Sequence, residues 1–234
     1  MSQELPPLTL EKLPLDVNAH IISFLNRDRS VPLVCQQFRQ LAESEYIPNN
    51  RDLQLALEEN NQIMLARIAR AKKFNFNQTN LNYSLITAVS NGNLEIVKLL
   101  LKFGANPSYQ NNRAIKLASQ DGYWRIVEIL MRDRRVDPSD NGNIAIALAS
   151  HNGHLAVIER LLQETRVDPT AFNNYAIKYA SMYGHLAVVK RLLEDERVQQ
   201  SVNFVDDISE AIENASINGH LAIVKLLENA IRNR

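Results

Sequence analysis

The 234-residue chain carries 26 basic and 26 acidic side chains, so its formal net charge is zero. This balance argues against a nucleic-acid or anionic-membrane partner, because both usually select proteins with a basic excess. Hydrophobic residues make up 45% of the chain and aromatic residues only 6%, which predicts a buried core that is mostly aliphatic.

The single cysteine, Cys35, cannot form an internal disulfide, which is typical of proteins from a reducing compartment. The N-terminus lacks the pattern of a secretory signal, and no stretch approaches the ~18 consecutive apolar residues of a membrane-spanning helix. We therefore expect a cytoplasmic protein, or one that acts in the host cytosol if it is a secreted effector.

The N-terminal part of the sequence predicts a short tail followed by a small helical module. Residues 1–10 are expected to be disordered, and residues 11–48 read as two amphipathic helices. Leu13-Pro14 starts the first, with Pro14 suited to its first turn, and Ser30 is suited to cap the second. Residues 51–80 have helical periodicity but lack the glycine that marks the units after them. We interpret them as a degenerate first unit that caps the array.

Residues 81–230 contain five copies of one phrase, an alanine, three residues, a glycine and then an aliphatic stripe. Five of the seven glycines occupy this position, namely Gly92, Gly122, Gly153, Gly184 and Gly219. The glycine is expected to end a first helix, because it adopts a left-handed conformation at little cost. A second helix then buries residues at i, i+3 and i+4 spacing, such as Val189, Leu192 and Leu193.

Three features complete the predicted unit. An Asn-Pro or Asp-Pro pair follows the second helix at Asn106, Asp137 and Asp168 and predicts a turn. An insertion of about four residues within 199–210 is expected to lengthen one loop before the last unit. The fold class is therefore an all-α solenoid of stacked helix pairs, in which each unit is stabilised by its neighbours.

The repeated pattern A-x-x-x-G-H-L-x-V-V-x-x-L-L resembles the ankyrin repeat. The Thr-Pro-Leu-His opening typical of the family is absent, and Asn143–Ile146 stands in its place. This divergent style is similar to the ankyrin arrays of giant viruses and of bacteria that live inside cells. The resemblance implies a protein partner held by loop tips and by the exposed end of each first helix. The corresponding positions are Tyr109, Gln110, Asn112, Gln120, Asp121, Asp140, Asn141, Asn143, His151, Asn152, Phe172, Asn174, Met182, Tyr183, Ile217 and Asn218.

The order Leu-Pro, Ile-x-x-Phe-Leu and Val-Cys-x-x-Phe-Arg-x-Leu in residues 11–48 resembles the F-box. That resemblance implies binding to the Skp adaptor of a cullin–RING ubiquitin ligase through eight residues. They are Leu13, Pro14, Ile21, Ile22, Leu25, Val34, Cys35 and Phe38. Two departures are a shortened stretch between Leu25 and Val34 and a phenylalanine, Phe38, where the family often has tryptophan. In the alternative interpretation these helices only cap the solenoid.

Nothing in the pattern points to catalysis, a cofactor or a metal. His154, His185 and His220 occupy one repeat position, so they are expected in a row, whereas a metal site needs convergent ligands. Trp124 replaces the leucine of Gly-His-Leu and is expected in the core. We therefore predict a non-enzymatic, monomeric adaptor, either a substrate receptor of a Skp–cullin–F-box ubiquitin ligase or a plain ankyrin scaffold or inhibitor. In the receptor hypothesis the adaptor and an unknown protein substrate are the partners.

Overall fold

The computed structural model describes residues 49–58, 68 and 76–233. They belong to two compact units, one that ends at Asn80 and one that spans Leu81–Arg234. The described residues are helical and contain no β-strand, which confirms the predicted all-α fold class. Their helices are α1 (Asn50–Glu58), α2 (Gln78–Ser90), α3 (Leu94–Lys102), α4 (Tyr109–Gln120), α5 (Trp124–Met131), α6 (Asp140–His151), α7 (Leu155–Leu162), α8 (Ala171–Met182), α9 (Leu186–Leu193), α10 (Glu196–Gln199), α11 (Phe204–Ile217) and α12 (Leu221–Arg232).

In the first unit, α1 begins with a reciprocal cap. The Asn49 side-chain oxygen accepts hydrogen bonds from the backbone N–H groups of Arg51 and Asp52, at 2.8 and 3.2 Å. The Asp52 carboxylate accepts in return from the Asn49 N–H at 3.0 Å. These bonds satisfy N–H groups that have no partner inside the helix.

The second unit stacks helix pairs in which the repeat glycine makes the corner. Gly122, Gly153 and Gly184 have φ of 78°, 75° and 79°, and the next residue donates its N–H to the carbonyl of the repeat alanine at 2.8–2.9 Å. This is the hydrogen-bond pattern that ends helices at a left-handed glycine. The equivalent geometry at successive units confirms the predicted helix–turn–helix repeat.

The second helix of each pair buries the predicted apolar stripe. Val189 and Leu192 are fully buried in α9, whereas Leu193 is only partly buried. The first helices pack against one another much more densely than the second helices do. The first helices α4, α6, α8 and α11 therefore form the more closely packed layer of the array.

A left-handed turn lies in the opening residues of three of the first helices, and the sequence interpretation missed it. Three consecutive residues have φ between 53° and 68° in each case. Each non-glycine residue in this conformation costs about 1–2 kcal/mol, and asparagine tolerates it better than most residues. The three turns are Gln110–Asn112, Asn141–Asn143 and Phe172–Asn174.

The last asparagine of the turn joins neighbouring units. The side-chain oxygens of Asn112 and Asn143 accept the N–H of Asp137 and Asp168 at 2.9 and 2.8 Å. In turn, the Asp168 carboxylate accepts from the N–H and hydroxyl of Thr170, at 2.9 and 2.7 Å. These bonds hold the predicted Asp-Pro turns in place and stabilise the left-handed residues.

An arginine in the loop after the second helix makes another link between units. Arg166 and Arg197 reach back to the carbonyls of Val136 and Val167, at 3.1 and 2.7 Å. Each arginine is also paired with a carboxylate two residues earlier, as Arg197 is with Asp195 at 2.8 Å. The hydrogen bond from Arg197 holds the pKa of the Asp195 carboxyl below its usual range.

The segment before the last unit differs from the corresponding segments of earlier units. The short helix α10 ends at Gln199, where the stretch with the predicted insertion begins, and α11 then starts at Phe204 without a left-handed turn. The Asn174 side-chain oxygen is buried without a hydrogen-bond partner, and its amide instead donates to Asp207 on α11 at 2.8 Å. Residues 200–203 form the connection between α10 and α11, and residues 204–210 of the predicted stretch belong to α11.

Candidate protein-binding surface

Four aromatic rings cluster on the first-helix side of the array. Tyr175 and Tyr179 lie one turn apart on α8, Tyr183 caps the C-terminal end of that helix, and His151 reaches them from α6. The ring centroids of His151 and Tyr183 are 4.2 Å apart, and those of Tyr175 and Tyr179 are 4.1 Å apart. We call these four residues the tyrosine surface.

The tyrosine surface remains accessible to solvent although its rings contact one another. Tyr175 is 37% exposed and Tyr183 is 47% exposed. The hydroxyls of Tyr175 and Tyr179 are hydrogen-bonded, which, together with partial burial, raises the pKa of Tyr179. The surface therefore presents both ring faces and hydroxyl groups to solvent.

An ion-pair network lies beside the tyrosine surface and joins α8 to α11. The ammonium group of Lys178 contacts Asp207 at 3.0 Å and Glu210 at 2.6 Å. Burial alone would lower the pKa of Lys178, but the hydrogen bonds to Glu210 and Asp207 outweigh it and raise that pKa. Lys178 therefore stays charged and holds the two helices together.

Most of the residues predicted to contact a partner are accessible. Those that are exposed are Gln110, Gln120, Asp121, Asn141, Asn152, Phe172, Tyr183, Ile217 and Asn218. Those that are partly buried are Tyr109, Asp140, Asn143, His151 and Met182. Their positions follow the first helices and corners of successive units, so the structure spreads them along the array.

Two residues from the predicted set do not face solvent. Asn112 is 8% exposed and Asn174 is completely buried. Both hydrogen-bond across the interface between units, and Asn112 donates to Asp140 at 3.2 Å. Their expected exposure was wrong, because the left-handed turn points these amides into the array.

A family comparison identifies the repeat. The family model described as "Ankyrin repeats (3 copies)" matches residues 53–142, 115–206 and 144–233, which together cover more than half of the chain. The chain belongs to the ankyrin-repeat family. No curated protein matches the sequence. Ankyrin repeats are protein-interaction modules, and this chain therefore contains one.

The histidines that follow the repeat glycines of the ankyrin array contact the preceding repeat unit. The Nε2 atoms of His154 and His185 lie 2.9 and 2.8 Å from the carbonyls of Gln120 and His151. Each ring also covers the glycine of the preceding unit: a Cβ on Gly153 would lie 2.5 Å from the ring of His185. Among the described residues, no cluster of His, Cys, Asp and Glu is suited to a metal ion.

Trp124 is not the core residue that its sequence position indicated. Its side chain is half-buried, and the guanidinium carbons of Arg125 and Arg160 lie 5.1 and 5.4 Å from the ring centroid. Of the leucines that occupy the same position in later units, Leu155 is partly buried, and Leu186 and Leu221 are exposed. The position therefore lies at the edge of the second-helix layer, where an arginine can stack on an aromatic ring.

The remaining sequence predictions concern residues that the structure does not describe. The proposed adaptor-binding residues Leu13, Pro14, Ile21, Ile22, Leu25, Val34, Cys35 and Phe38 lie outside the described residues. Within the described part of the chain, no helix has the length and apolarity needed to cross a membrane.

Two members of the tyrosine surface, Tyr175 and Tyr179, were absent from the predicted contact set. They flank the buried residues Ala176 and Ile177 in the first helix of their unit, α8. The sequence did indicate that Tyr179 is variable, because the same repeat position is occupied by Leu148 in the preceding unit and by Asn214 in the following unit. Such variation at one repeat position is typical of a surface that does not determine the fold.

Proposed function

We propose that the ankyrin array captures a protein partner through the tyrosine surface. The observation that carries this proposal is the continuous cluster of three tyrosines and one histidine across α6 and α8, in which Tyr175 and Tyr183 are exposed. Tyrosine is enriched in the energetically dominant parts of protein interfaces, because it offers a large rigid face and a hydroxyl for hydrogen bonding.

The fold does not require these tyrosines. Counting back from the repeat glycine, the positions of Tyr175, Tyr179 and Tyr183 hold Ile144, Leu148 and Asn152 in the preceding unit. Those replacements support the same helix pair. A requirement of the fold therefore does not explain why one unit places an aromatic residue at all three positions.

The repeat itself supplies a conservative set of test variants. Tyr179→Leu combined with Tyr183→Asn installs the residues that the preceding unit already carries. We expect this double variant to keep the helical content and melting temperature within a few degrees and to lose partner capture. Partners are identified by proximity labelling in cells and then confirmed with the purified partner by calorimetry.

The matched control is Tyr123→His, which also replaces a tyrosine with the residue of the neighbouring unit. Tyr123 covers Gly92 inside the array and is not part of the tyrosine surface. The control should capture the same proteins as the wild type. Equal capture by the double variant and the wild type would remove the tyrosine surface from the proposal.

Residues 11–48 extend the proposal to a specific pathway. We propose that they bind a Skp adaptor, so that the chain acts as a substrate receptor of a ubiquitin ligase and performs no chemistry itself. The support is the ordered F-box-like pattern from Leu13 to Leu41. A receptor accelerates ubiquitin transfer by raising the local concentration of target lysines near the loaded enzyme.

A pull-down with purified Skp adaptor decides between receptor and scaffold. The full chain should retain the adaptor, and the Leu13→Ala/Pro14→Ala variant should not. If the wild type also fails to retain it, the chain is an ankyrin scaffold or inhibitor, and the protein-binding role of the array is unaffected.

A further inference from the structure

An acidic face lies next to the tyrosine surface. On α11 the side chains of Asp206, Glu210 and Glu213 are exposed and are spaced four and three residues apart, which places them on one side of the helix. Glu210 occupies the same repeat position as Tyr175, because each lies nine residues before the glycine of its unit, Gly219 and Gly184 respectively. We call Asp206, Glu210 and Glu213 the acidic face.

The acidic face and the tyrosine surface are neighbours in space. Lys178 on α8 contacts Glu210 on α11 at 2.6 Å, so the two helices lie side by side at this level. His151 extends the tyrosine surface on the opposite side, toward α6. A bound segment that crosses the first helices would therefore meet aromatic rings first and carboxylates immediately afterwards.

Charge is strongly unbalanced at this place although the whole chain is neutral. Helix α11 carries four acidic and no basic residues, and Lys178 is the one charged residue of α8, which leaves −3 for the two helices. Among the described residues, neither Asp206 nor Glu213 forms an ion pair within the protein. These two carboxylates are thus available to an external cation.

Stabilisation of the helix explains only part of this acidity. Asp206 and Asp207 lie in the first turn of α11, where negative charge interacts favourably with the helix dipole. Glu213 lies beyond that turn, is exposed, and occupies the position of Lys178 in the preceding unit. The helix dipole therefore does not explain why an acidic residue, Glu213, occupies this position.

Tyrosine rings and carboxylates are together the chemistry that recognises lysine and arginine. The face of a tyrosine ring attracts a cation, and a carboxylate pairs with it. An acidic partner or a nucleic acid would be repelled by the net negative charge, and an apolar partner would have to desolvate the carboxylates without compensation. We infer that the segment bound here is a lysine- or arginine-rich stretch of a partner protein. This inference rests on the proposed function of the array.

Three fluorescein-labelled peptides test the inference with the full chain. Their sequences alternate serine with arginine, glutamine or glutamate, so that only the charge differs. Fluorescence anisotropy should show the tightest binding for the arginine peptide, and its affinity should fall as salt is raised. Equal affinity for the arginine and glutamine peptides, or absence of binding by the arginine peptide, would overturn the inference.

Variants locate the binding site. Asp206→Asn and Glu213→Gln should each weaken binding of the arginine peptide about two- to five-fold. Tyr179→Leu should weaken it by about two- to five-fold as well. The matched control, Glu159→Gln/Glu194→Gln, removes two exposed carboxylates that lie outside the acidic face. If this control weakens binding as much as Asp206→Asn/Glu213→Gln, the site assignment is wrong.

The outcome also separates this inference from the proposed function. A partner captured through Tyr179 and Tyr183 but bound equally well by Asp206→Asn/Glu213→Gln would leave the protein-binding role intact. The preference for a basic segment would then be rejected.

Discussion

The glycine at the hairpin corner is expected to serve two purposes, and a matched pair of alanine substitutions separates them. Gly153 and Gly219 have nearly the same backbone conformation, with φ of 75° and 77°. They differ in surroundings: a Cβ on Gly153 would lie 2.5 Å from the His185 ring, whereas a Cβ on Gly219 would have no neighbour within 4 Å. The difference between the two variants therefore reports the packing of the histidine.

The expected magnitudes follow from these geometries. Gly219→Ala should lower the free energy of unfolding by about 1–2 kcal/mol, because alanine is strained in the left-handed conformation. Gly153→Ala should lower it by about 2–5 kcal/mol, because overpacking against the ring adds to the same strain. The ring cannot move away without loss, since its Nε2 is held 2.8 Å from the carbonyl of His151.

Urea unfolding followed by circular dichroism measures both variants. Gly104→Ala provides a second open control within the array, since Gly104 has φ of 90° and nothing near its Cβ position. Adding His185→Ala should reduce the cost of Gly153→Ala to that of the open controls, with a coupling energy of about 1–3 kcal/mol. Equal losses for Gly153→Ala and Gly219→Ala, or no relief from His185→Ala, would refute the role assigned to the ring.

Three further predictions concern the links between units. Leu161 is completely buried, so Leu161→Ala should cost about 2–5 kcal/mol, and a melting temperature equal to that of the wild type would contradict the packing described here. Arg197 donates hydrogen bonds to two carbonyls at 2.7 and 3.0 Å, whereas Arg135 donates to one at 3.4 Å. Arg197→Ala should therefore lower the free energy of unfolding by about 1.5–3 kcal/mol in the same urea titration, and Arg135→Ala should lower it clearly less. The pKa of Asp195 is lower in the folded protein than in the unfolded chain, so its stabilisation is present above about pH 3.9 and is lost as the pH falls through the folded value. The stability difference between wild type and Asp195→Asn should therefore shrink on acidification, and a constant difference from pH 7 downward would contradict this.

The parts of the fold that could be predicted from sequence are those that depend on local chemistry. A glycine followed by an aliphatic stripe specifies a helix corner, whatever its neighbours are. The Asp-Pro turns are equally local, because the Asp168 carboxylate bonds to Thr170 only two residues away. These features appear in the structure where the sequence placed them.

The left-handed turns could not be predicted in the same way, because their stability depends on the next unit. Asn112 and Asn143 were assigned to a variable binding surface, but asparagine recurs ten residues before the glycine in four units, Asn82 and Asn174 included. A position that stays constant while its surroundings vary indicates a framework contact. For Asn143 that contact is the N–H of Asp168, 25 residues further along the chain.

The insertion before the last unit connects the framework with the acidic face. In three earlier units a left-handed turn opens the first helix, and in two of them its asparagine accepts the backbone N–H of the next Asp-Pro turn. The last unit has no left-handed turn, and α11 opens as an ordinary helix whose first turn favours Asp206 and Asp207. Asp207 then replaces the missing link by binding Asn174 and Lys178. Because Asp207 joins α11 to α8, Asp206 and Glu213 are not needed for the contact between these two helices and remain exposed beside the tyrosine surface.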